Sequence, residues 1–209
     1  MKPAALIFLP LLLILGGTSC RPATEVTESP LPSPLSLEQH AAALQQGQVI
    51  VAETFSLLSS NLQSAIRSGG VSNALPFCSV AALPLTTRLA GKHGVAIRRL
   101  THKPRNPVNR ADGVESTILD HFRTSGVETN PPAPVVTNLN AATLSYFAPI
   151  VLNNELCLKC HGEPGVDIAP EDLAIIQRLY PQDRATGFRL GDFRGAWRVD
   201  LPVAQLHRN

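Results

Sequence analysis

From Ser36 onward, apolar side chains recur at threes, fours and sevens: Leu44, Val51, Phe55, Leu58, Leu62 and Ile66. This spacing predicts a long amphipathic helix, opened by a Ser36/Gln39 capping box and stopped at Gly69-Gly70. Its stripe would pack on its own domain or, in a homodimer, on a second copy. The next stretch, "VSNALPFCSVAALPLTTRLAGKHG", reads as broken helix, with Ser72 placed to cap it and Pro76 and Pro84 expected to divide it. At "VAIRRLT" the period changes to two, and Val95, Ile97, Arg99 and Thr101 share one face of a strand. "KPRNPVN" is a turn-rich connection. Asp112, with Glu115 three residues on, caps a helix carrying Val114, Ile118 and Phe122 and stopping at Gly126. After the loop "NPPAP", "TLSYFAPIVL" reads as a strand and Pro170 to Leu179 as a short helix. The end, "GFRLGDFRGAWRVDLPV", reads as a hairpin turning near Gly191-Asp192, with Trp197, Val199 and Leu201 alternating. No internal repeat is visible. The expected fold class is α+β with antiparallel strands.

The first residues follow another logic. Lys2 precedes an apolar run from Ala4 to Leu15 and then "GGTSC", the pattern of a secretory signal over residues 1–19. The run falls short of the roughly 20 apolar residues of a membrane span. Cys20 resembles the cysteine of a bacterial lipoprotein signal, although Gly17 stands where such signals usually carry leucine. Plain secretion with cleavage near Ser19 is the alternative. Either reading sends the chain to the periplasm or beyond; the first also anchors it to a membrane by lipid on Cys20. Residues 20–35, with Pro22, Pro30, Pro32 and Pro34 among Ser, Thr and Glu, form an extended tether. A single domain over 36–205 follows. The full length of 209 residues suits one sizeable core. A net charge of +2 gives no reason to expect nucleic acid.

The cysteines change the picture most. Cys157, Cys160 and His161 form Cys-x-x-Cys-His, which in an exported chain reads as the attachment site of one covalent c-type haem. Two cysteines three apart can each take one vinyl group along a porphyrin edge, and the next histidine is carried beneath the iron. A structural zinc site usually wants two such pairs, and no second pair exists. A redox Cys-x-x-Cys would need no following histidine. Cys78 is left over, an odd cysteine in an exported chain.

Three blocks, "RRLTHKPRNPVNRADGVE", "YFAPIVLNNELCLKCHGEP" and "YPQDRATGFRLGDFRGAW", together resemble a family of bacterial haem-binding, PAS-like sensor domains first catalogued as a domain of unknown function. The resemblance spans about residues 36–203. It departs at Val114, where members commonly carry an aromatic residue before the glutamate. It implies a PAS-like antiparallel sheet flanked by helices, behind a long N-terminal helix. Some members hold haem between the motif histidine and a distant cysteine, whose place falls on Cys78.

The residues themselves leave the second axial ligand among several groups. Methionine is absent apart from Met1, so Cys78, His93, His102, His121 or an open face remain. His40, near the start of the long helix, and His207, in the tail, are poor candidates. Cys78 lies in an apolar run of Phe77, Val80 and Leu83, which also suits an inert buried thiol. A thiolate there would cancel the net positive charge of ferric iron in a porphyrin dianion, and so favour the ferric state. Arg99 and Arg105, with Arg189 and Arg194 beside them, are candidates to pair with haem propionates, or else with Asp183 and Asp192. The expected function is a redox or small-ligand sensor with His161 and Cys78 as axial ligands, acting through a partner protein. A tethered electron-transfer cytochrome without ligand switching is the alternative, and a haem enzyme with an open iron face a weaker one.

Overall fold

The computed structural model describes residues 36–125, 131–140 and 142–206. The signal, Cys20, the tether, Gly126 and His207 lie outside the described residues. Helix α1 runs from Leu37 to His93, with the capping box at Ser36 formed in both directions. Its path is helical except at Gly69 and Gly70. Gly70 takes φ 73°, a left-handed conformation that glycine adopts without the penalty of a Cβ. Here the helix reverses. Glu53 accepts from Lys92 and lies 2.7 Å from Nε2 of His93, 40 residues away. A straight helix would separate residues 53 and 93 by about 60 Å. The two arms, 37–68 and 71–93, therefore form a helical hairpin. Asn73 ties the reversal by donating to the Ala65 carbonyl at 2.9 Å.

Pro76 and Pro84 do not divide the second arm, contrary to the sequence expectation; it stays helical through both. Each proline removes one intrahelical hydrogen bond at a cost of about 3 kcal/mol. Burial compensates, since Leu75 packs with Ile168 and Ile176, and Leu89 joins the main core. Ser72 does not cap; its hydroxyl donates to Asp172 of α4.

Strands β1 (Ala96–Leu100), β2 (Val135–Asn140), β3 (Thr143–Val151) and β4 (Phe193–Pro202) form one antiparallel sheet in the order β1-β4-β3-β2. Helix α2 (Gly113–Ser125), α3 (Glu155–His161), α4 (Pro170–Leu179) and α5 (Val203–Leu206) complete the fold, with a short 3₁₀ turn at Pro107–Asn109. The α+β class is as expected. Side chains alternate across the sheet as the strand period requires. Ile97, Leu144, Tyr146, Trp197, Val199 and Leu201 meet α1. Leu100, Phe147 and Ala196 meet Ile118, Leu119 and Phe122 of α2.

Three sequence expectations are corrected. The terminal segment is no hairpin: only Phe193–Pro202 is a strand, and β4 instead fills the gap between β1 and β3. β2 is a strand beyond those expected, since Asn138 and Asn140 are of a residue type depleted in strands. The first arm of α1 buries Ala43, Gly47, Ile50 and Thr54 most deeply; Leu44, Val51 and Leu58 of the expected stripe pack beside them, while Phe55 is exposed. The reason is distance. A Cβ on Gly47 would lie 2.2 Å from Cγ of Tyr146, so helix and sheet meet where side chains are smallest. Gly47→Ala should therefore destabilise the chain by about 1–3 kcal/mol through overpacking, read as a lowered urea midpoint at unchanged slope.

Candidate functional site

β3 delivers the motif. Beyond Val151, Leu152 exchanges backbone hydrogen bonds with the turn before β4: its N–H donates to the Asp192 carbonyl at 3.0 Å and its carbonyl accepts from Gly191 at 2.8 Å. Asn154 then caps α3 by accepting from the N–H of Leu156 at 2.8 Å. Within this single helix Cys157 and Cys160 lie at i and i+3, neighbours on the helix surface. Cys157 packs with Leu152, Ala185 and Phe188, and Cys160 with Leu75, Ile168 and Ile176. Gly162 is the C-cap in an extended conformation, and a Cβ there would lie 2.5 Å from Asp167, so the position takes glycine.

His161 is held by the segment between α4 and β4. Its Nδ1 lies 2.8 Å from the Ala185 carbonyl. A carbonyl only accepts, so Nδ1 carries the proton and Nε2 keeps its lone pair. Phe188 donates its N–H to the His161 carbonyl at 2.9 Å and sets its ring edge-on to the imidazole at 6.4 Å. Gly187 donates to the Gly162 carbonyl at 2.8 Å. Burial, then the charges of Arg194 and Arg105, hold His161 well below its ordinary pKa. The ring is a neutral donor, the form that binds metal.

The second arm of α1 brings Cys78 into the same cluster. Leu75, one turn earlier, packs against α4, and Arg99 and Arg105 act electrostatically on both Cys78 and His161. Burial raises the Cys78 thiol, while those two arginines pull it down. Burial also raises Cys157, and pushes Cys160 to about 11. Tyr180, at the end of α4, completes the group: it feels Cys78, Arg105 and Arg99, and the Arg105 guanidinium lies 5.9 Å from its ring.

The arginines divide. Arg105 is committed to Asp183 and to the carbonyls of Cys160 and Ala185. Arg194 donates to Thr101 and to the Lys103 carbonyl, but its buried Nε has no hydrogen-bond partner. Burial, then Arg105 and Arg99, bring Arg194 down to about 10. Arg99 lies 5.9 Å from the Trp197 ring and, among the described residues, makes no hydrogen bond or ion pair. Arg189 is exposed and outside the cluster. Three guanidiniums thus converge with one carboxylate, Asp183, in hydrogen-bond reach.

The histidine alternatives lie elsewhere. His93 is bound to Glu53, His102 is 3.3 Å from Asp120, and His121 is exposed beside Ser125. Sequence reasoning missed the roles of Ala185, Phe188 and Tyr180. The signal is present in "YPQDRATGF", but only its last two residues, Gly187 and Phe188, fall in the expected hairpin, and backbone acceptors leave no trace in composition.

The donor set suits covalent haem. It offers two thiols at helical spacing, a neutral imidazole with Nε2 free, and a surplus of buried positive charge that two propionates would offset.

A family comparison matches residues 36–202 to the Tll0287-like family, and the chain belongs to it. Among solved structures, one described as the crystal structure of the cyanobacterial heme-protein Tll0287 is similar at 28% identity and a TM-score of 0.47, covering 59% of this chain and 72% of that one. No curated protein matches.

The raised thiol gives a direct test. In the full chain made without haem attachment, Cys160 at pH 8 should react with iodoacetamide at least about 10-fold more slowly than an unperturbed thiol, followed by peptide mass spectrometry.

Proposed function

We propose that this chain is an exported c-type haem protein that senses redox state or a small ligand. Haem would be attached through Cys157 and Cys160, with His161 as one axial ligand and Cys78 as the other. The observation that carries the reading is the imidazole of a Cys-x-x-Cys-His helix, held neutral with Nε2 free, in one cluster with the half-buried Cys78 thiol. Family membership over residues 36–202, together with the haem protein among similar structures, supports it. Bound haem would supply a one-electron ferric/ferrous couple. Arg99 and Arg194, which lack carboxylate partners in hydrogen-bond reach, suit the propionates better than Arg105, which is already paired. The PAS-like description of the fold is part of the proposal, supported by an antiparallel sheet with helices on both faces.

Sensing is favoured over electron carriage by the place of Cys78. It lies between Pro76 and Pro84 in the arm beyond the Gly69-Gly70 reversal. Both prolines lack an N–H, so this arm is weaker in hydrogen bonds than an uninterrupted helix. A ligand released there would leave the segment held by side-chain packing, with fewer backbone hydrogen bonds to keep it in place. We further propose periplasmic placement and a lipid anchor on Cys20, with a redox or signalling partner protein as the recipient.

Protein produced with active haem-attachment machinery should carry haem that survives a denaturing gel; its absence would refute the haem reading. Ferric wild type should give a low-spin spectrum of thiolate character, and Cys78→Ser should turn it high-spin or recruit another ligand. Spectra identical in both redox states would exclude Cys78, and unchanged ligation on reduction would point to a carrier. The unpaired charge adds a second prediction. Arg99→Gln should raise the melting temperature of the haem-free chain and lower that of the haem-loaded one, by scanning calorimetry.

A further inference from the structure

We infer that Arg105 and Asp183 are positioning residues for His161, and that their buried pair sets how strongly the imidazole donates through Nε2. The inference deepens the haem reading and rests on it.

Arg105 leaves the turn after β1, and Asp183 the segment after α4; their side chains are only 12% and 9% exposed. Arg105 grips Asp183 with Nε at 3.2 Å and Nη2 at 3.4 Å. The same Nη2 donates to the Cys160 carbonyl and, at 3.3 Å, to the Ala185 carbonyl. Asp183 in turn accepts from the Ala185 N–H at 2.9 Å. Residue 185 is thereby held at both polar atoms, its N–H by Asp183 and its oxygen by Arg105. That oxygen is the acceptor for His161 Nδ1.

The consequence follows from sharing. A stronger hydrogen bond at Nδ1 makes the other nitrogen a more basic ligand. A carbonyl has two lone pairs, so it accepts from both Arg105 and His161, but a cation on one withdraws density from the other. Arg105 therefore weakens the pull on Nδ1 and restrains donation at Nε2. Asp183 keeps the guanidinium in place. Burial limits screening by salt. The fork also reaches the backbone of Cys160, so the ion pair orients the helix that bears the imidazole together with the carbonyl that accepts its hydrogen bond.

The test uses the full chain loaded with haem. Arg105→Lys keeps a cation but loses the planar fork, and Arg105→Met loses both. The one-electron midpoint potential, titrated with dithionite and mediators, should fall in Arg105→Lys and fall further in Arg105→Met, because stronger donation favours ferric iron. A wild-type or higher potential in Arg105→Lys overturns the inference. Should the arginine variants not load, Asp183→Asn carries the test by ferric EPR, whose anisotropy reports imidazole orientation. A broadened or split low-spin signal is expected, and one identical to wild type overturns the inference. A wild-type chain without covalent haem overturns the haem reading and this inference with it. Loaded variants that match wild type overturn the inference alone.

Discussion

Everything at the site depends on the reversal at Gly69-Gly70. A 57-residue helix running straight would extend far beyond a sheet whose strands are five to ten residues long. The positive φ at Gly70 folds the second arm back along the first, so that Leu75 reaches α4 and Leu89 the main core. Cys78 comes with it. The chemistry of α3 and the thiol of α1 share one cluster because Gly70 takes a positive φ that a residue with a side chain would resist.

β4 supplies the second condition. By pairing with β1 on one side and β3 on the other, it brings Arg99 and Arg105 of the β1 end close to the helix that β3 leads into. The approach to β4 is the segment that grips His161. The sheet thus positions a site lying entirely at its edge and beyond it, while α2 seals the opposite face around Phe122 and Phe147.

Much of this was legible in the sequence for physical reasons. The capping box, the period-two runs in β1, β3 and β4, and the short α4 are local patterns and appear as read. What failed was decided by tertiary contact. Pro76 and Pro84 remain in a helix because its buried face outweighs two missing hydrogen bonds. Residues 188–192 look strand-like but bond elsewhere, Phe188 to His161 of α3 and Gly191 and Asp192 to Leu152. At the site, Cys157, Cys160 and His161 were visible through spacing, and Cys78 through its isolation as an odd cysteine. The Arg105–Asp183 pair was one of several charge pairings the sequence allowed. The unpaired state of Arg99 could not be read, since lack of a partner is a property of space.

The segment from Asp183 to Phe188 addresses its neighbours largely through main-chain atoms: the Ala185 carbonyl to His161, the Gly187 N–H to Gly162, the Phe188 N–H to the His161 carbonyl and the Arg184 N–H to Pro104. Side chains at 184 and 186 are therefore comparatively free to drift over evolutionary time. The number of residues is not. An insertion or deletion of a single residue would move every donor and acceptor out of register at once, so descendants of this site should diverge in spelling while conserving length.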